Sequence, residues 1–482
     1  MSSSTMVIIG GDAAGMSAAS KIRRECPDTH VIVFEKGEHI SYSACGMPYW
    51  IGGVVDSDRR LLVLTVDAAR KRRGIDVRTH HEVVAIDPVR REVTVRQLGD
   101  GTSFQQPYDL LLIATGASPA RPPIPGLDLP GVFTLRSLSH AQQIYHFLES
   151  RQPRRAVIIG GGYIGLEMAE AFRDRELEVT VVEMLPQILP NFDPEMVEEV
   201  AAHVQQQGVT IHTGTRVTAI QQDNPGLAVV TEEAGTLPAD LVLVATGVRP
   251  NGELARQAGL RMGQTGAIWV DDHMRTSDEH IYAAGDCVEH YHLVLEENAW
   301  IPLATSANKG GRVAGENMAG GDARFPGILG TAVVKVFDYT VAVTGVTEQA
   351  ARASGKFGEQ GEWVGSAVIT DDGQGRLLAG RGAPEGQAGL RPAGWSGVGW
   401  ATGRQGRGQQ AHRHRGHGHH RAHDRGRRGH AGSLLCAALF PPVRPGADLR
   451  QRRAQGCGPL KPAGWLPIEG PRGVTPRWQR GG

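Results

Sequence analysis

Met6-Val7-Ile8-Ile9-Gly10-Gly11-Asp12-Ala13-Ala14-Gly15 is the stretch on which the fold turns. Four apolar residues read as a buried strand, which enters a glycine turn and then the Ala-rich helix that follows. Gly10 permits the turn, Gly15 lets helix and sheet approach, and the first backbone N–H groups of the helix face a phosphate. The next apolar run, Val31-Ile32-Val33-Phe34, ends on Glu35, whose carboxylate suits ribose hydroxyls. Gly10, Gly11, Ala14, Gly15, Glu35 and Lys36 are therefore candidate contacts to a dinucleotide. One residue departs from the fingerprint: Asp12 stands where its middle glycine belongs.

The pattern recurs about 150 residues later. Ala156-Val157-Ile158-Ile159 leads into a loop with Gly160, Gly162 and Gly165 in full spacing, followed by Tyr163 and Ile164 within the turn. A strand, Val179-Thr180-Val181-Val182, then ends at Glu183. A carboxylate there accepts the 2′-hydroxyl of NADH and repels the 2′-phosphate of NADPH, so NADH is the expected partner and NADPH the alternative. Two near copies, residues 109–116 and 240–247, each end a buried strand in Ala-Thr-Gly, placing Thr115, Gly116 and Gly247 at the ends of those strands. A further strand runs into Gly285-Asp286. The class is α/β, with two Rossmann-like dinucleotide-binding domains in one chain.

These motifs resemble the FAD-dependent pyridine nucleotide–disulfide oxidoreductases over residues 6–350. The resemblance implies FAD in the first domain, with Asp286 holding its ribityl chain, and a nicotinamide dinucleotide in the second. It also implies a domain order: residues 1–150 and 269–328 form the FAD domain, 151–268 the NAD(P)H domain, and 329–380 a partial α+β dimerisation domain. A hairpin is expected at 363–378. The Tyr-Tyr-Pro segment usual before it is missing.

Residues 41–53 carry Cys45 followed by Gly46, Met47 and Pro48, with no second cysteine four positions on. Without a local resolving thiol, Cys45 must cycle through a mixed disulfide, a persulfide or a sulfenic acid. This resembles the single-cysteine branch, which contains coenzyme A-disulfide reductase, NADH oxidase, NADH peroxidase and persulfide reductase. The peroxidases carry a histidine where Ala13 stands. The coenzyme A-binding pattern falls on Lys21, Arg24, Ser41 and Arg73, cationic and polar groups suited to a phosphate-rich substrate. The expected activity is NAD(P)H-dependent reduction of coenzyme A disulfide, or a related persulfide, through a Cys45 thiol of lowered pKa. NADH oxidase is the alternative, and an inactive flavoprotein the alternative of another class. Cys26 and Cys287 read as packing residues.

Composition bounds the remainder. Five cysteines among 482 residues make no disulfide framework, and no apolar run approaches the ~18 residues that span a bilayer. With no signal peptide at the start, a cytoplasmic protein is expected, binding neither nucleic acid nor membrane. The formal net charge is +0, yet residues 381–482 hold 18 Lys+Arg against 4 Asp+Glu, leaving 33 against 47 before them. Hydrophobic periodicity stops near residue 380, and residues 411–430 are rich in His, Arg and Gly. With permitted codons, residues 412–421 read one nucleotide later give Ile-Asp-Thr-Val-Ala-Thr-Ala-Ile-Thr-Ala. The same shift turns 435–442 into Tyr-Ala-Pro-Pro-Phe-Ser-Pro, like the family's C-terminal segment. The tail is thus expected to be a frameshifted, unstructured stretch that puts the family's homodimer in doubt.

Overall fold

The computed structural model describes residues 4–357 and, as backbone, the strands Ile369–Asp371, Leu377–Ala379 and Gly399–Arg404. Two five-stranded parallel sheets carry the fold. In the first, Thr5–Ile9 lies between His30–Glu35 and Leu110–Ile113, with Asp76–Thr79 and Ile281–Ala283 at the edges. Val7, Ile8, Val31 and Val33 are fully buried. A parallel strand covered on both faces alternates nothing, so it reads as an unbroken apolar run. The second sheet repeats the order: Arg155–Ile159 lies between Glu178–Val182 and Leu241–Val244, flanked by Val209–His212 and Val132–Phe133.

Each sheet's first strand feeds a glycine loop and a helix, Ala13–Glu25 or Tyr163–Asp174. Gly10 and Gly160 have φ of +106° and +111°, and a Cβ would stand 2.2 Å from the Ala114 carbonyl oxygen or 2.4 Å from that of Ala245. Only glycine fits both conditions. At Gly15 and Gly165 a Cβ would fall 1.9 and 2.0 Å from the carbonyl oxygens of Gly10 and Gly160, so the loops close against their own helices.

Ile281–Ala283 returns the chain to the first sheet, which splits the first domain in sequence around the second. The crossing is made by two short strands, Ala117–Pro119 and Val248–Pro250, paired antiparallel. Asn251 clasps them: its side-chain amide donates to the Thr115 carbonyl at 2.8 Å, and its own carbonyl accepts from Thr115 Oγ1 at 2.7 Å. Val132–Phe133 and the helix Leu138–Arg151 precede residue 150. They nevertheless pair with the second sheet and bury Leu138, Ala141 and Ile144 in the core shared with Phe172.

Beyond residue 330 the hairpin Ala332–Val336 with Tyr339–Thr344 buries Val334, Val336 and Val341 in that same core. Ile369–Asp371 pairs with Leu377–Ala379, the hairpin expected in that region. The expectation of a structureless tail from residue 381 is corrected at one place. Gly399–Arg404 pairs antiparallel with Tyr339–Thr344, because a backbone ladder needs only N–H and C=O groups and no hydrophobic period. The frameshift reading of 412–421 and 435–442 lies outside the described residues.

Candidate active site

The two glycine loops are built alike. Glu35 Oε2 accepts from Gly11 N–H at 2.8 Å and its Oε1 from Gly37 N–H at 2.7 Å. Glu183 does the same with Gly161 (2.6 Å) and Leu185 (2.8 Å). Each carboxylate is thereby fixed at the end of its strand, next to the start of the glycine-loop helix. Lys36 is exposed beside Glu35. After Glu183 come Met184 and Leu185, both exposed, where a 2′-phosphate would need a cation. A Cβ at Gly162 or Gly247 meets nothing within 4 Å, so open space faces the second loop, the room a pyrophosphate requires. Ala14 is buried, Tyr163 and Ile164 are half-buried, and the Tyr163 ring lies edge-on to Phe192.

Asp286 follows Gly285, whose φ is +91°. Its Oδ2 accepts from Arg136 Nη2 at 2.7 Å, and its backbone carbonyl accepts from Trp300 Nε1 at 2.8 Å. Burial raises the Asp286 carboxyl pKa, with Arg136 opposing. Arg136 comes from the short segment between Val132–Phe133 and the helix Leu138–Arg151 and had no signature in the sequence. The glycine cradle, Glu35 and Asp286 together suit an FAD molecule, and Glu183 with the open Gly162 loop suits NADH.

Cys45 sits in a short 3₁₀ turn, Ala44–Gly46, that leads into the helix Met47–Ile51. The turn is pinned on both sides: Ser41 N–H donates to the Gly11 carbonyl at 2.9 Å, and Ser43 N–H to that of Leu61 at 2.7 Å. The helix itself is anchored to the second domain. Trp50 stacks on Tyr145 with ring centroids 4.6 Å apart, and Arg175 Nε donates to the Ile51 carbonyl at 2.7 Å. Cys45 is exposed as a residue, while the helix that follows it buries Met47, Pro48, Trp50 and Ile51. Cys287, by contrast, is fully buried, and half-buried Cys26 contacts the Ala319 carbonyl.

The expected lowering of the Cys45 pKa is not found. Burial raises it first, then the charge of Glu167, and Arg136 only partly opposes them. Glu167 lies on the helix Tyr163–Asp174 and lines a pocket with Pro48, Tyr49, Glu170 and Asp174. Its own pKa is pushed up to about 7 by burial and by Glu170. Glu170 is engaged elsewhere, in an ion pair with Lys335 and accepting from Phe337 N–H at 2.9 Å.

A cleft of about 220 Å³ opens beside the first helix, lined by Ser17, Ser20, Arg24, Ser41, Arg73 and Arg312 among others. Three of the four substrate residues expected from the sequence meet there. Lys21 is not among the residues that line it: its ammonium pairs with Glu25 (2.9 Å) and Glu316 (3.1 Å). Arg73 Nη1 donates to Ser20 Oγ at 2.7 Å, and Asn308 accepts from Ser17. Arg312 and Asn308 belong to the helix Ala304–Met318, nearly 300 residues away in sequence, and were not foreseen. No carboxylate lines the cleft, and among the described residues neither Arg24 nor Arg312 has an ion-pair partner.

Residues 4–311 match the pyridine nucleotide-disulphide oxidoreductase family. The chain belongs to that family, and its redox carriers are FAD and a nicotinamide dinucleotide. It is 43% identical over 352 residues to the NAD(P)H sulfur oxidoreductase (CoA-dependent) of Pyrococcus abyssi, covering 73% of this chain and 77% of that one. It is 39% identical over 343 residues to an NADH oxidase of Methanocaldococcus jannaschii, covering 71% and 76%. Among solved structures, a NAD-dependent persulfide reductase from A. fulgidus shares 45% identity with a TM-score of 0.71, covering 73% of this chain and 66% of that chain. Among the described residues no helix is long and apolar enough to cross a membrane.

Proposed function

We propose that the chain reduces coenzyme A disulfide, or a coenzyme A-linked persulfide, with NADH, using Cys45 as the sulfur that meets the substrate. The observation that carries this reading is the cleft of unpaired arginines reached through Ser41, four residues from Cys45. Arg24, Arg73 and Arg312 are exposed and no carboxylate lines the cleft with them, so a ligand bearing several phosphates is the natural complement. The relatives named for CoA-dependent sulfur reduction and persulfide reduction support the same substrate class.

Within this reading the Cys45 thiolate attacks one sulfur of the disulfide. A Cys45–S–S–CoA bond forms, the original S–S bond breaks, and coenzyme A leaves as a thiolate that takes a proton. FAD, held in the first domain, would supply the electron pair, drawn from NADH, that this chemistry needs, and the Cys45 sulfur would return to the thiolate as the second coenzyme A leaves. Arg24, Arg73 and Ser41 bind and orient the phosphates, while Glu183 selects the unphosphorylated ribose of NADH. The remaining cofactor contacts are Gly10, Gly11, Ala14, Gly15, Glu35, Lys36, Thr115, Gly116, Gly160, Gly162, Tyr163, Ile164, Gly165, Gly247, Gly285 and Asp286.

In this reading the protein works in the cytoplasm, and the homodimer is what the family resemblance implies. The NADH oxidase relative favours a second reading, in which oxygen is the acceptor and Cys45 passes through a sulfenic acid. Anaerobic incubation with NADH and coenzyme A disulfide separates the two. Two thiols released per NADH support the reductase; NADH consumption only in the presence of oxygen supports the oxidase.

A further inference from the structure

Among the fingerprint glycines the two loops differ at one place, Asp12 against Gly162. Gly162 and Asp12 each precede the first residue of their helix, and both have extended backbone, with φ of −79° and −97°. Glycine is therefore not required at this position by conformation. No protein atom fills the place where a Cβ on Gly162 would point, so that room is open to a ligand. In the first loop a carboxylate group stands at that position. An aspartate preceding a helix usually accepts a hydrogen bond from the helix's first N–H groups, and Asp12 makes no such bond. Its charge has been left unused at the place where the loop must meet a pyrophosphate.

The neighbours worsen the crowding. Glu35 approaches from the end of His30–Glu35, and Asp286 from the loop after Ile281–Ala283. Among the described residues, Arg136, from the segment before Leu138–Arg151, is the cation that acts on Asp12, and it is already bonded to Asp286 at 2.7 Å. Tyr42 contributes its backbone N–H, and burial and Asp12 hold its phenol neutral. Asp12 and Asp286 thus share one guanidinium, with the Glu35 carboxylate close by, before any phosphate arrives.

We propose that Asp12 makes flavin binding proton-linked: the first domain takes FAD with Asp12 protonated, and a proton must accompany FAD wherever the free site has ionised. This goes beyond the substrate reading above and rests only on the family's use of FAD. The free-site carboxyl is raised to about 6, by burial first, with Glu35 and Asp286 adding to it and Arg136 opposing. The doubly charged pyrophosphate raises it further, so the bound value exceeds the free one. The sign follows from linkage. Below about pH 6 the group is already neutral and affinity is at its plateau. Above that, one proton is taken up per FAD, and affinity falls about tenfold per pH unit until the bound-state value is passed.

The test is titration of FAD into the flavin-stripped full-length chain, followed by quenching of flavin fluorescence, from pH 5.5 to 8.5. Asp12→Asn and Asp12→Gly are run beside the wild type. The expected result is a wild-type Kd that climbs with pH toward tenfold per unit, and a flat profile with tighter binding above pH 7 in both variants. Proton uptake near one per FAD at pH 7.5, dropping to none in Asp12→Asn, is the independent readout. A flat wild-type profile would overturn the proposal. So would an Asp12→Asn slope equal to the wild type, or weaker FAD binding by the variants at every pH. The last outcome would mean that the carboxylate itself holds the flavin.

Discussion

Arg24→Ala separates substrate recognition from chemistry. Arg24 lines the 220 Å³ cleft, and among the described residues it makes no ion pair, so its removal strands no buried carboxylate. The helix Ala13–Glu25 should therefore stay in place, its buried face being Ala14, Met16, Ala18, Ala19 and Ile22. What is lost is one charge-assisted contact to a phosphate, worth about 1.5–3 kcal/mol. At about 1.4 kcal/mol per factor of ten, KM for coenzyme A disulfide rises roughly 10- to 150-fold. Arginine far from the sulfur binds ground state and transition state alike, so kcat holds. The assay is anaerobic NADH oxidation at saturating NADH, with coenzyme A disulfide varied and pantethine disulfide, which has no phosphate, as control. The control should respond equally in wild type and variant. Equal losses on both disulfides, or an unchanged KM for the phosphorylated one, would refute the reading of the cleft.

Other outcomes follow from the same geometry. Glu167→Gln removes a charge that raises the Cys45 pKa, so the pH midpoint of iodoacetamide alkylation at Cys45 should move down; an unmoved midpoint would show that the two groups do not sense each other. In the wild type this coupling switches on as Glu167 ionises near pH 7, making thiolate formation harder above neutrality than in the variant. Glu183→Ala should lower the NADH-over-NADPH ratio of kcat/KM by roughly tenfold, about 1.4 kcal/mol, measured by steady-state kinetics with each nucleotide. Glu170→Ala leaves the Lys335 ammonium and the Phe337 N–H without their acceptor and should cost about 1–3 kcal/mol in urea unfolding. Phe172→Ala, at a fully buried ring, should cost about 3–5 kcal/mol in the same assay.

Glycine spacing and terminal carboxylates carried most of the fold in one dimension. Gly10, Gly15, Gly160 and Gly165 are fixed by contacts within a few residues, and Glu35 and Glu183 by bonds to their own loops. Such local constraints leave a mark in sequence. Cys45 was legible for a related reason, since its turn and helix form one short segment. Arg136, Glu167, Asn251 and Arg312 were not. Each acts on a partner supplied by fold closure rather than by spacing, as Arg136 meets Asp286 across 150 positions. The thiol's electrostatics failed for the same cause, because Glu167 reaches Cys45 from another domain. Lys21, on the same helix as Arg24, is held by Glu25 of its own helix and by Glu316 of Ala304–Met318, and the second of these partners had no mark in the sequence.

Replacing Cys45 by serine, in protein confirmed to retain bound yellow flavin, puts the role of that sulfur to the test. Anaerobic reduction with one equivalent of NADH followed by coenzyme A disulfide should release two thiols from the wild type. The Cys45→Ser protein should have its flavin bleached by NADH and release none. Thiol release at the wild-type rate from the serine variant would contradict the assignment.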